Sequence, residues 1–261
     1  MTITLDTRSA LAADHALARE LAGRAGELLL QLRAGWTGDA AQLRAEGDRR
    51  SNELLLRLLR ERRPGDGILS EESPDDAMRL GQSRVWILDP LDGTREFGEA
   101  PRDDWAVHVA LWVNGTLAAG AVARPARGDV LATDSPPDVP ARAPGRIRLA
   151  VSRSRPPAFV AALARHLDAK LVPMGSAGIK ATAVVDGLVD AYVHAGGQYE
   201  WDSAAPVAVA TASGLHTSRI DGSALSYNRA DPLLPDLVIA RPEVAATVLD
   251  AISAIETGQP T

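Results

Sequence analysis

Two aspartates, a glycine and a threonine directly follow an apolar run in the segment 84–97, which reads RVWILDPLDGTREF. Asp89 and Asp92 are three residues apart across a turn, so their carboxylates can face one point. Gly93 permits a sharp turn that leaves the backbone N–H groups of Gly93 and Thr94 free to bind an anion. Carboxylates beside free N–H groups suit a metal ion and a phosphate. The same residues also occur in ordinary turns, so carboxylates elsewhere must decide between the two interpretations.

The acidic pair follows a predicted strand. Val85–Leu88 is a continuous β-prone run, the pattern of a strand that is buried on both faces. Pro90 has no N–H group to donate to a neighbouring strand, which predicts that this strand ends before it. Residues 68–69 form a second, short strand, and Glu71 follows it almost at once. Acidic side chains are therefore expected at two strand ends.

Two helices are predicted before these strands. Ser9 is a suitable N-cap for a long helix that carries a leucine stripe to about Arg33. Residues 34–47 contain three glycines and no clear period, which predicts a loop. A second helix then opens with Asp48 at or near its N-cap and runs to Arg63. This arrangement would place one more carboxylate at the end of an element.

A proline-rich segment divides the chain. Residues 134–145 contain four prolines, which predicts a boundary between an N-terminal α+β domain (1–135) and a C-terminal α/β domain (146–261). The second part alternates predicted strands and helices, as α/β domains do. One of these helices begins around Asp202. We expect the first domain to carry most of the metal ligands, and the second to supply Asp202 and the substrate-binding residues.

Composition limits the possible functions. The 261 residues are 46% hydrophobic and 24% charged, which is ordinary for a soluble globular protein. There is no cysteine, so disulfides and thiolate metal sites are excluded. The net charge of −6 argues against a nucleic-acid polymer as partner. No apolar run reaches the roughly 18 residues of a membrane span, and the N-terminus lacks a block of signal-peptide type, so we expect a cytoplasmic protein with no membrane partner.

The acidic residues at predicted element ends form a candidate metal site. They are Asp48, Glu71, Asp89, Asp92 and Asp202. Hard oxygen ligands favour Mg²⁺ or Mn²⁺ over zinc, and such clusters can bind two or more cations that polarise a phosphoryl group and activate water. The histidines show no ligand spacing, and we interpret them as surface or strand residues. They are His15, His108, His166, His194 and His216. The predicted chemistry is phosphate-ester hydrolysis.

Three separated motifs resemble the inositol monophosphatase superfamily of Mg²⁺-dependent, lithium-sensitive phosphatases. In chain order they are the aspartate that opens helix two, Glu71-Glu72-Ser73 with Asp89-Pro90-Leu91-Asp92-Gly93-Thr94, and Trp201-Asp202. The resemblance covers nearly the whole chain. It implies an α/β (α+β) fold, a layered α-β-α-β-α sandwich of the inositol monophosphatase and fructose-1,6-bisphosphatase type, and a homodimer. One departure is that Arg44-Ala45-Glu46-Gly47 stands where family members usually have a threonine and small residues.

The resemblance also assigns roles to the acidic residues. The first metal would be held by Glu71, Asp89 and the main-chain carbonyl of Leu91, and the second by Asp89, Asp92 and Asp202. Glu71 would also contact a third, weaker metal. Two to three Mg²⁺ per site are thus implied, with Mn²⁺ as a possible substitute.

The same resemblance implies the catalytic groups. Thr94, assisted by Asp48, would orient the attacking water. The N–H groups of Gly93 and Thr94 would bind the phosphate.

Further details resemble the CysQ branch, which hydrolyses 3′-phosphoadenosine 5′-phosphate (PAP). The matching segments are Arg95-Glu96-Phe97, Ser152-Arg153-Ser154, Gly175-Ser176-Ala177-Gly178-Ile179-Lys180 and Leu225-Ser226-Tyr227-Asn228. They imply a small phosphorylated nucleotide as substrate. The expected contacts are Ser152, Arg153, Ser154, Gly175, Ser176, Lys180 and Glu200. The competing interpretations are a solvated surface charge for Lys180, a surface charge for Glu200, and helix or turn capping for the serines.

Several alternatives remain open. Inositol 1-phosphate or fructose 1,6-bisphosphate could be the substrate, because selection depends on pocket shape. Haloacid-dehalogenase phosphatases also use an aspartate pair before Gly-Thr, but their aspartates are two apart and near the chain start, and one of them becomes covalently phosphorylated. A metal-binding regulator without turnover would not need Asp48 and Thr94.

Overall fold

In the computed structural model, which describes residues 5–257 and the side chains from residue 10 onward, two five-stranded sheets stack between layers of helices. The α-helices of this region are α1 (Leu5–Ala34), α2 (Ala40–Arg62), α3 (Thr94–Phe97), α4 (Ala158–His166), α5 (Ala177–Val185), α6 (Glu200–Ala212) and α7 (Pro242–Glu256). The strands are β1 (Gly67–Ser70), β2 (Arg84–Asp92), β3 (Ala106–Val113), β4 (Thr116–Arg124), β5 (Asp129–Ala132), β6 (Arg148–Ser152), β7 (Lys170–Met174), β8 (Ala191–Tyr199), β9 (His216–Ser218) and β10 (Leu233–Ala240).

The first sheet has the strand order β1-β2-β3-β4-β5, and the second has the order β7-β6-β8-β10-β9. In the first sheet β1 is parallel to β2, and the remaining pairs are antiparallel. The proline-rich residues 134–145 lie between β5 and β6, and therefore between the two sheets in the chain order.

Alternating side chains build the layers, because successive residues of a strand face opposite sides of a sheet. On β3, Val107 and Val109 pack with the leucines of α1 and α2, whereas Ala106 and Ala110 pack with residues of α5 and α6. Helices α5 and α6 also contact the second sheet, whose other face is covered by α4 and α7. The predicted α-β-α-β-α sandwich is therefore confirmed.

Two predicted helix boundaries are wrong. Helix α1 begins at Leu5, so Ser9 lies inside it instead of capping it. Helix α2 begins at Ala40, where the side chain of Asp39 accepts a hydrogen bond from the N–H of Gln42 at 2.8 Å. Asp48 is thus two turns inside α2, and most of the predicted loop 34–47 is helical.

Strand β2 continues past the proline that was predicted to end it. It runs to Asp92, and its register with β3 shifts between Asp89 and Asp92. This bulge leaves Pro90 and Leu91 without partners on β3, so the missing N–H of the proline costs no ladder hydrogen bond. The hydroxyl of Ser51 on α2 donates to the carbonyl of Pro90 at 2.6 Å and supports the bulge.

Within residues 5–257, no helix combines the length and the apolar character that a bilayer crossing requires.

Candidate active site

The β2 bulge fixes the positions of the acidic pair. Asp89 is buried and lies directly opposite His108 in the register of β2 and β3. The N–H of Leu91 donates to the Asp89 carboxylate at 3.0 Å, which orients this side chain from within the bulge. The chain then turns at Gly93, whose φ of +85° lies in the left-handed region that favours glycine.

Thr94 and Asp48 meet beside this turn. The Thr94 hydroxyl lies 3.0 Å from the carbonyl oxygen of Leu91 and 3.4 Å from the Asp48 carboxylate. Asp48 reaches this point from the interior of α2, because the backbone of Gly47 packs closely against Leu91 and Phe97. Burial raises the pKa of Asp48 to about 7, and repulsion by Glu72 adds to the shift. The structure therefore brings the two predicted water-orienting residues together.

Asp92 binds the N-terminus of α5. Its carboxylate accepts hydrogen bonds from the N–H of Ala177 at 3.0 Å, from the N–H of Gly178 at 2.6 Å, and from the hydroxyl of Ser176. Burial alone would raise the pKa of Asp92, but the charge and hydrogen bond of His108, with help from Ser176, lower it to about 2. Asp92 is thus an ionised link between the first sheet and α5, and the hydroxyl of the predicted substrate residue Ser176 is used in this contact.

His108 is a strand residue, as predicted, but its place in the acidic cluster was not predicted. It is fully buried, and its Nε2 lies 3.2 Å from the Asp92 carboxylate. Its Nδ1 lies 3.1 Å from the carbonyl oxygen of Trp201, which can only accept a hydrogen bond, so Nδ1 carries a proton. A side chain at Gly178 would overlap with the ring, so glycine is needed where α5 passes His108. The alternation on β3 could have indicated this position. His108 lies between Ala106 and Ala110 on one face of the strand, and Val107 and Val109 lie on the other.

Glu71 and Asp202 complete the acidic cluster from different elements. Glu71 follows β1, and its N–H donates to the carbonyl of Leu88 on β2 at 3.2 Å. Asp202 lies in the first turn of α6 and accepts the N–H of Tyr199 at 2.7 Å. Glu71 is exposed as a whole residue, but desolvation of its carboxyl group next to the cluster and repulsion by Asp202 raise its pKa to about 8. Burial and repulsion by Asp92 raise the pKa of Asp202 to about 6.

This donor set fits hard divalent cations. Oxygen atoms of Asp89 and Asp92 and a ring nitrogen of His108 lie within 4.8 Å of one another. Burial raises the pKa of Asp89, and the charges of Glu71 and Asp92 raise it further. These carboxylates resist ionisation because they are crowded, and a bound cation would relieve the repulsion between their charges. The chemistry of the ligands therefore supports Mg²⁺ or Mn²⁺ at this point.

Two residues of α2 that sequence analysis missed support the site. Ser51 holds the carbonyl of Pro90, as described above. The side-chain amide of Asn52 donates to the carbonyl of Glu72 at 3.1 Å and accepts from the Ser70 hydroxyl at 2.8 Å. They follow Asp48 by three and four residues, so all three share one helix face. That spacing was visible in the sequence once α2 was known to include Asp48.

A cavity of about 400 Å³ is lined by Ser152 and Lys180 and is connected to the acidic cluster through Ser176, which contacts both Lys180 and Asp92. Lys180 is buried, so its interpretation as a solvated surface charge is wrong. Its ammonium group donates to the carbonyls of Gly175 and Ser176 at 3.0 and 2.6 Å and lies 5.4 Å from the Tyr192 ring centre. These contacts hold a cation at the cavity wall.

The other predicted substrate residues have protein partners. Arg153 forms ion pairs with Glu96 at 2.8 Å and Glu99 at 3.0 Å, while Ser154 is exposed. The N–H of Gly175 donates to Asp104 at 2.7 Å. Glu200 is fully buried, and the N–H groups of residues 228 and 229 donate to its carboxylate at 2.6 and 2.8 Å. Surface charge is therefore the wrong interpretation of Glu200, and its role as a substrate ligand stays a prediction.

Comparison with known proteins finds similarity over nearly the whole chain. The sequence pattern of the inositol monophosphatase family matches residues 7–136 and 140–256. A 3′-phosphoadenosine 5′-phosphate phosphatase of Mycobacterium bovis is 55% identical over 238 residues, which are 88% of this chain and 89% of the relative. The 3′(2′),5′-bisphosphate nucleotidase CysQ of Escherichia coli is 28% identical over 234 residues, covering 82% of this chain and 94% of that protein.

Solved structures show the same fold. The IMPase of Thermotoga maritima superposes with a TM-score of 0.76 at 18% identity, covering 93% of this chain and 98% of that one.

Proposed function

The chain belongs to the inositol monophosphatase family, and from that premise we propose that it is a Mg²⁺-dependent phosphoric monoester hydrolase that converts PAP to AMP and inorganic phosphate. The proposal depends above all on one observation. At the β2 bulge, beside the Thr94–Asp48 pair, carboxylate oxygens of Asp89 and Asp92 lie within 4.8 Å of each other, and Glu71 and Asp202 are close enough to shift the pKa values of their acidic neighbours. The relative that is 55% identical and named as a PAP phosphatase supports the choice of substrate.

The family resemblance implies the ligand sets of the proposed cations. Glu71, Asp89 and the carbonyl of Leu91 would hold one Mg²⁺, and Asp89, Asp92 and Asp202 a second, with Glu71 also near a third. When bound, such cations stabilise charge on a phosphoryl group and lower the pKa of a water molecule.

The residues of the chain itself position the nucleophile and the phosphate. The Thr94 hydroxyl can accept a hydrogen bond from water while it donates to Asp48, which lies 3.4 Å away. A carboxyl group with a pKa of about 7 is suited to take a proton near neutral pH. The N–H groups of Gly93 and Thr94, at the start of α3, would bind the phosphate oxygens.

The cavity that is connected to the acidic cluster would receive the nucleoside part of the substrate. Its volume of about 400 Å³ lies within the usual range for small-molecule sites. Ser152 and Lys180 on its wall offer a hydroxyl and a buried cation for phosphate or ribose oxygens. Contacts of Arg153, Ser154, Gly175, Ser176 and Glu200 with substrate are retained as part of the proposal.

Phosphate release from a panel of substrates tests the proposed reaction. We expect PAP to be hydrolysed faster than inositol 1-phosphate or fructose 1,6-bisphosphate, and only with Mg²⁺ present. Asp89→Asn should abolish hydrolysis while the circular dichroism spectrum stays that of the parent, because the amide replaces a buried carboxylate without a change of size. Full activity of a folded Asp89→Asn protein, or hydrolysis in excess chelator, would contradict the site.

The same site predicts direct attack by water. A single turnover in ¹⁸O-labelled water should place the label in phosphate and none in the protein. Mass spectrometry that finds label or phosphate on Asp89 or Asp92 would instead indicate the covalent mechanism of the haloacid-dehalogenase class.

The family resemblance also leads us to propose two to three Mg²⁺ per site, inhibition by lithium and a homodimer. The division into domains 1–135 and 146–261 is proposed from the proline-rich segment, and a cytoplasmic location from the sequence of the N-terminus and the length of the apolar runs.

A further inference from the structure

Arg79 is a buried arginine on an otherwise exposed turn. It belongs to a 3₁₀ turn (Ala77–Gly81) in the loop that follows Glu71, where its neighbours Met78 and Leu80 are exposed. The side chain of Arg79 is only 1% exposed and forms a bidentate ion pair with Asp75 at 2.6 and 2.8 Å. A guanidinium group is withdrawn from water only where its donors find partners.

The remaining donors of Arg79 reach the C-terminal half of the chain. They donate to the side-chain oxygen of Asn228 at 2.6 Å and to the carbonyl oxygen of Arg229 at 2.9 Å. Asn228 has a φ of +61°, a left-handed conformation that asparagine tolerates better than most residues. The loop at residues 226–230 is therefore held in a specific shape against the first half of the chain.

The same loop is held from its other side by Glu200. The carboxylate of Glu200 accepts the N–H of Asn228 at 2.6 Å and the N–H of Arg229 at 2.8 Å, and Glu200 has no exposed surface. Glu200 is the first residue of α6, two positions before Asp202. A continuous set of hydrogen bonds thus runs from the loop after Glu71 to the helix start that carries Asp202.

We propose that Arg79, Asn228 and Glu200 form a clamp that positions Asp202 of the C-terminal half against Glu71 of the N-terminal half for cation binding. Arg79 and Asn228 are positioning residues that act through the metal ligands, and Glu200 connects them to the start of α6 that carries Asp202. The inference depends on the proposed metal site but not on the identity of the phosphate ester.

Electrostatics explain why such a clamp is needed. Glu71 and Asp202 approach from different halves of the chain, and their charges repel each other. Without a cation, nothing attractive acts between the two carboxylates, so the surrounding structure must hold them at binding distance. Partners that orient metal ligands from outside typically change metal affinity 10- to 100-fold when they are removed.

Asn228→Gly is the sharpest test. Glycine keeps the left-handed conformation and both N–H groups that bind Glu200, but it removes the side-chain oxygen that accepts from Arg79 and leaves only the bond from Arg79 to the carbonyl of Arg229. Arg79→Lys keeps the charge but cannot form the bidentate pair while reaching both loop acceptors. Glu200→Gln keeps the size and removes the charge that binds the two N–H groups.

Arg124→Lys is the matched control. Arg124 is also a buried arginine, with a bidentate ion pair to Asp129 in its own half and a contact to Asp186 at the end of α5. It joins the two halves at a place where none of its contacts belongs to the acidic cluster.

Calorimetric titration with Mg²⁺ or Mn²⁺, without substrate, measures the effect directly. We expect Asn228→Gly and Arg79→Lys to raise the metal dissociation constant roughly ten-fold, and Arg124→Lys to leave it unchanged even if it lowers the melting temperature. Hydrogen exchange of the metal-free protein should be faster at the start of α6 in the clamp variants only.

The outcomes separate the clamp from the proposed reaction. Clamp variants that melt at a lower temperature but bind Mg²⁺ as tightly as the parent would overturn the proposal. They would show that the contacts of the clamp stabilise the fold only. Equal weakening by Arg124→Lys would also overturn it. If the parent binds Mg²⁺ but does not hydrolyse PAP, the proposed substrate is wrong and the clamp is still tested by the binding data.

Discussion

The Thr94 hydroxyl has two acceptors and no competing role in packing, which makes it a sharp target at the scale of single residues. We expect Thr94→Ala to lower the single-turnover rate by about 10²- to 10⁴-fold, because a group that orients and deprotonates water is lost. Calorimetric Mg²⁺ binding should stay near that of the parent, since the ligands are untouched. Thr94→Ser should recover most of the rate, and a serine variant as slow as the alanine variant would contradict the assignment.

His108 offers a second prediction, for the stability of the metal-free protein. Its Nε2 faces the charged carboxylate of Asp92 in a fully buried position. We expect His108→Asn, which retains a donor near the Nδ1 position only, to lower the free energy of unfolding by about 1–3 kcal/mol, because the buried carboxylate of Asp92 loses a close charged partner. His108→Gln can still reach Asp92 and should lose less. Denaturant unfolding of both variants measures the difference, and equal losses would show that the Asp92 contact is not the cause.

At this scale, the sequence predicted local motifs well and contacts between distant residues poorly. Asp89, Asp92 and Thr94 were predicted because a turn directly after a strand brings them together. His108 was missed because its partnership with Asp89 depends on the register between β2 and β3, which no local pattern specifies. For Glu200 the sequence left two interpretations open, a surface charge and a substrate ligand, because its contact with residues 228 and 229 depends on a loop far along the chain.

At the scale of elements, the start of α2 was predicted wrongly, partly because of Gly47, and the error has a physical reason. A glycine in this segment was interpreted as part of a loop, because glycine costs a helix about 1 kcal/mol relative to alanine. The structure shows why the helix retains it: a Cβ atom at this position would lie 2.8 Å from the Phe97 ring and 3.0 Å from the Leu91 side chain. Close packing of α2 on the bulge is what brings Asp48 to Thr94, and only the tertiary structure reveals that requirement.

Gly47→Ala should therefore disturb both packing and catalysis. We expect a loss of about 1–3 kcal/mol of stability, typical of overpacking in a well-filled core, together with a lower rate at saturating Mg²⁺ because Asp48 is displaced. Chemical denaturation and single-turnover kinetics check the two effects. Gly23→Ala on α1 is the matched control, since its nearest neighbour would be 3.8 Å away, and that change should be neutral or stabilising. Similar losses in both variants would mean that helix content, and not the contact with the bulge, determines the result.

At the scale of the whole molecule, the layer order could be predicted because it accompanies the family resemblance, whereas the contacts that join the halves could not. Arg79 and Arg124 have no sequence pattern that distinguishes them from solvated arginines, yet both are buried across the junction. Their partners, Asn228 and Asp186, lie far away in sequence. Such contacts depend on how the two sheets are placed around α5 and α6.

The crowding of the acidic cluster predicts how the stability of the whole molecule depends on pH. Without metal, the pKa values of Asp202 and Asp48 are raised to about 6 and about 7, so the folded state binds more protons than the unfolded state between roughly pH 4 and pH 7. The free energy of unfolding should therefore fall as pH rises through this window. Asp92, with a pKa of about 2, is ionised throughout and does not contribute to the change.

Thermal unfolding of chelator-treated protein at pH 5 and pH 8 tests this dependence. We expect a lower melting temperature at pH 8, where Asp48 and Asp202 are ionised and are repelled by their acidic neighbours. Saturating Mg²⁺ should raise the melting temperature far more at pH 8 than at pH 5, because the cation competes with protons for the same oxygens and stabilises only the folded state. Asp202→Asn removes one of the repelling charges, so in the absence of metal it should flatten the pH dependence and be more stable than the parent at pH 8. A parent protein that is more stable at pH 8 than at pH 5 without metal would show that the carboxylates are not crowded in the way the structure places them.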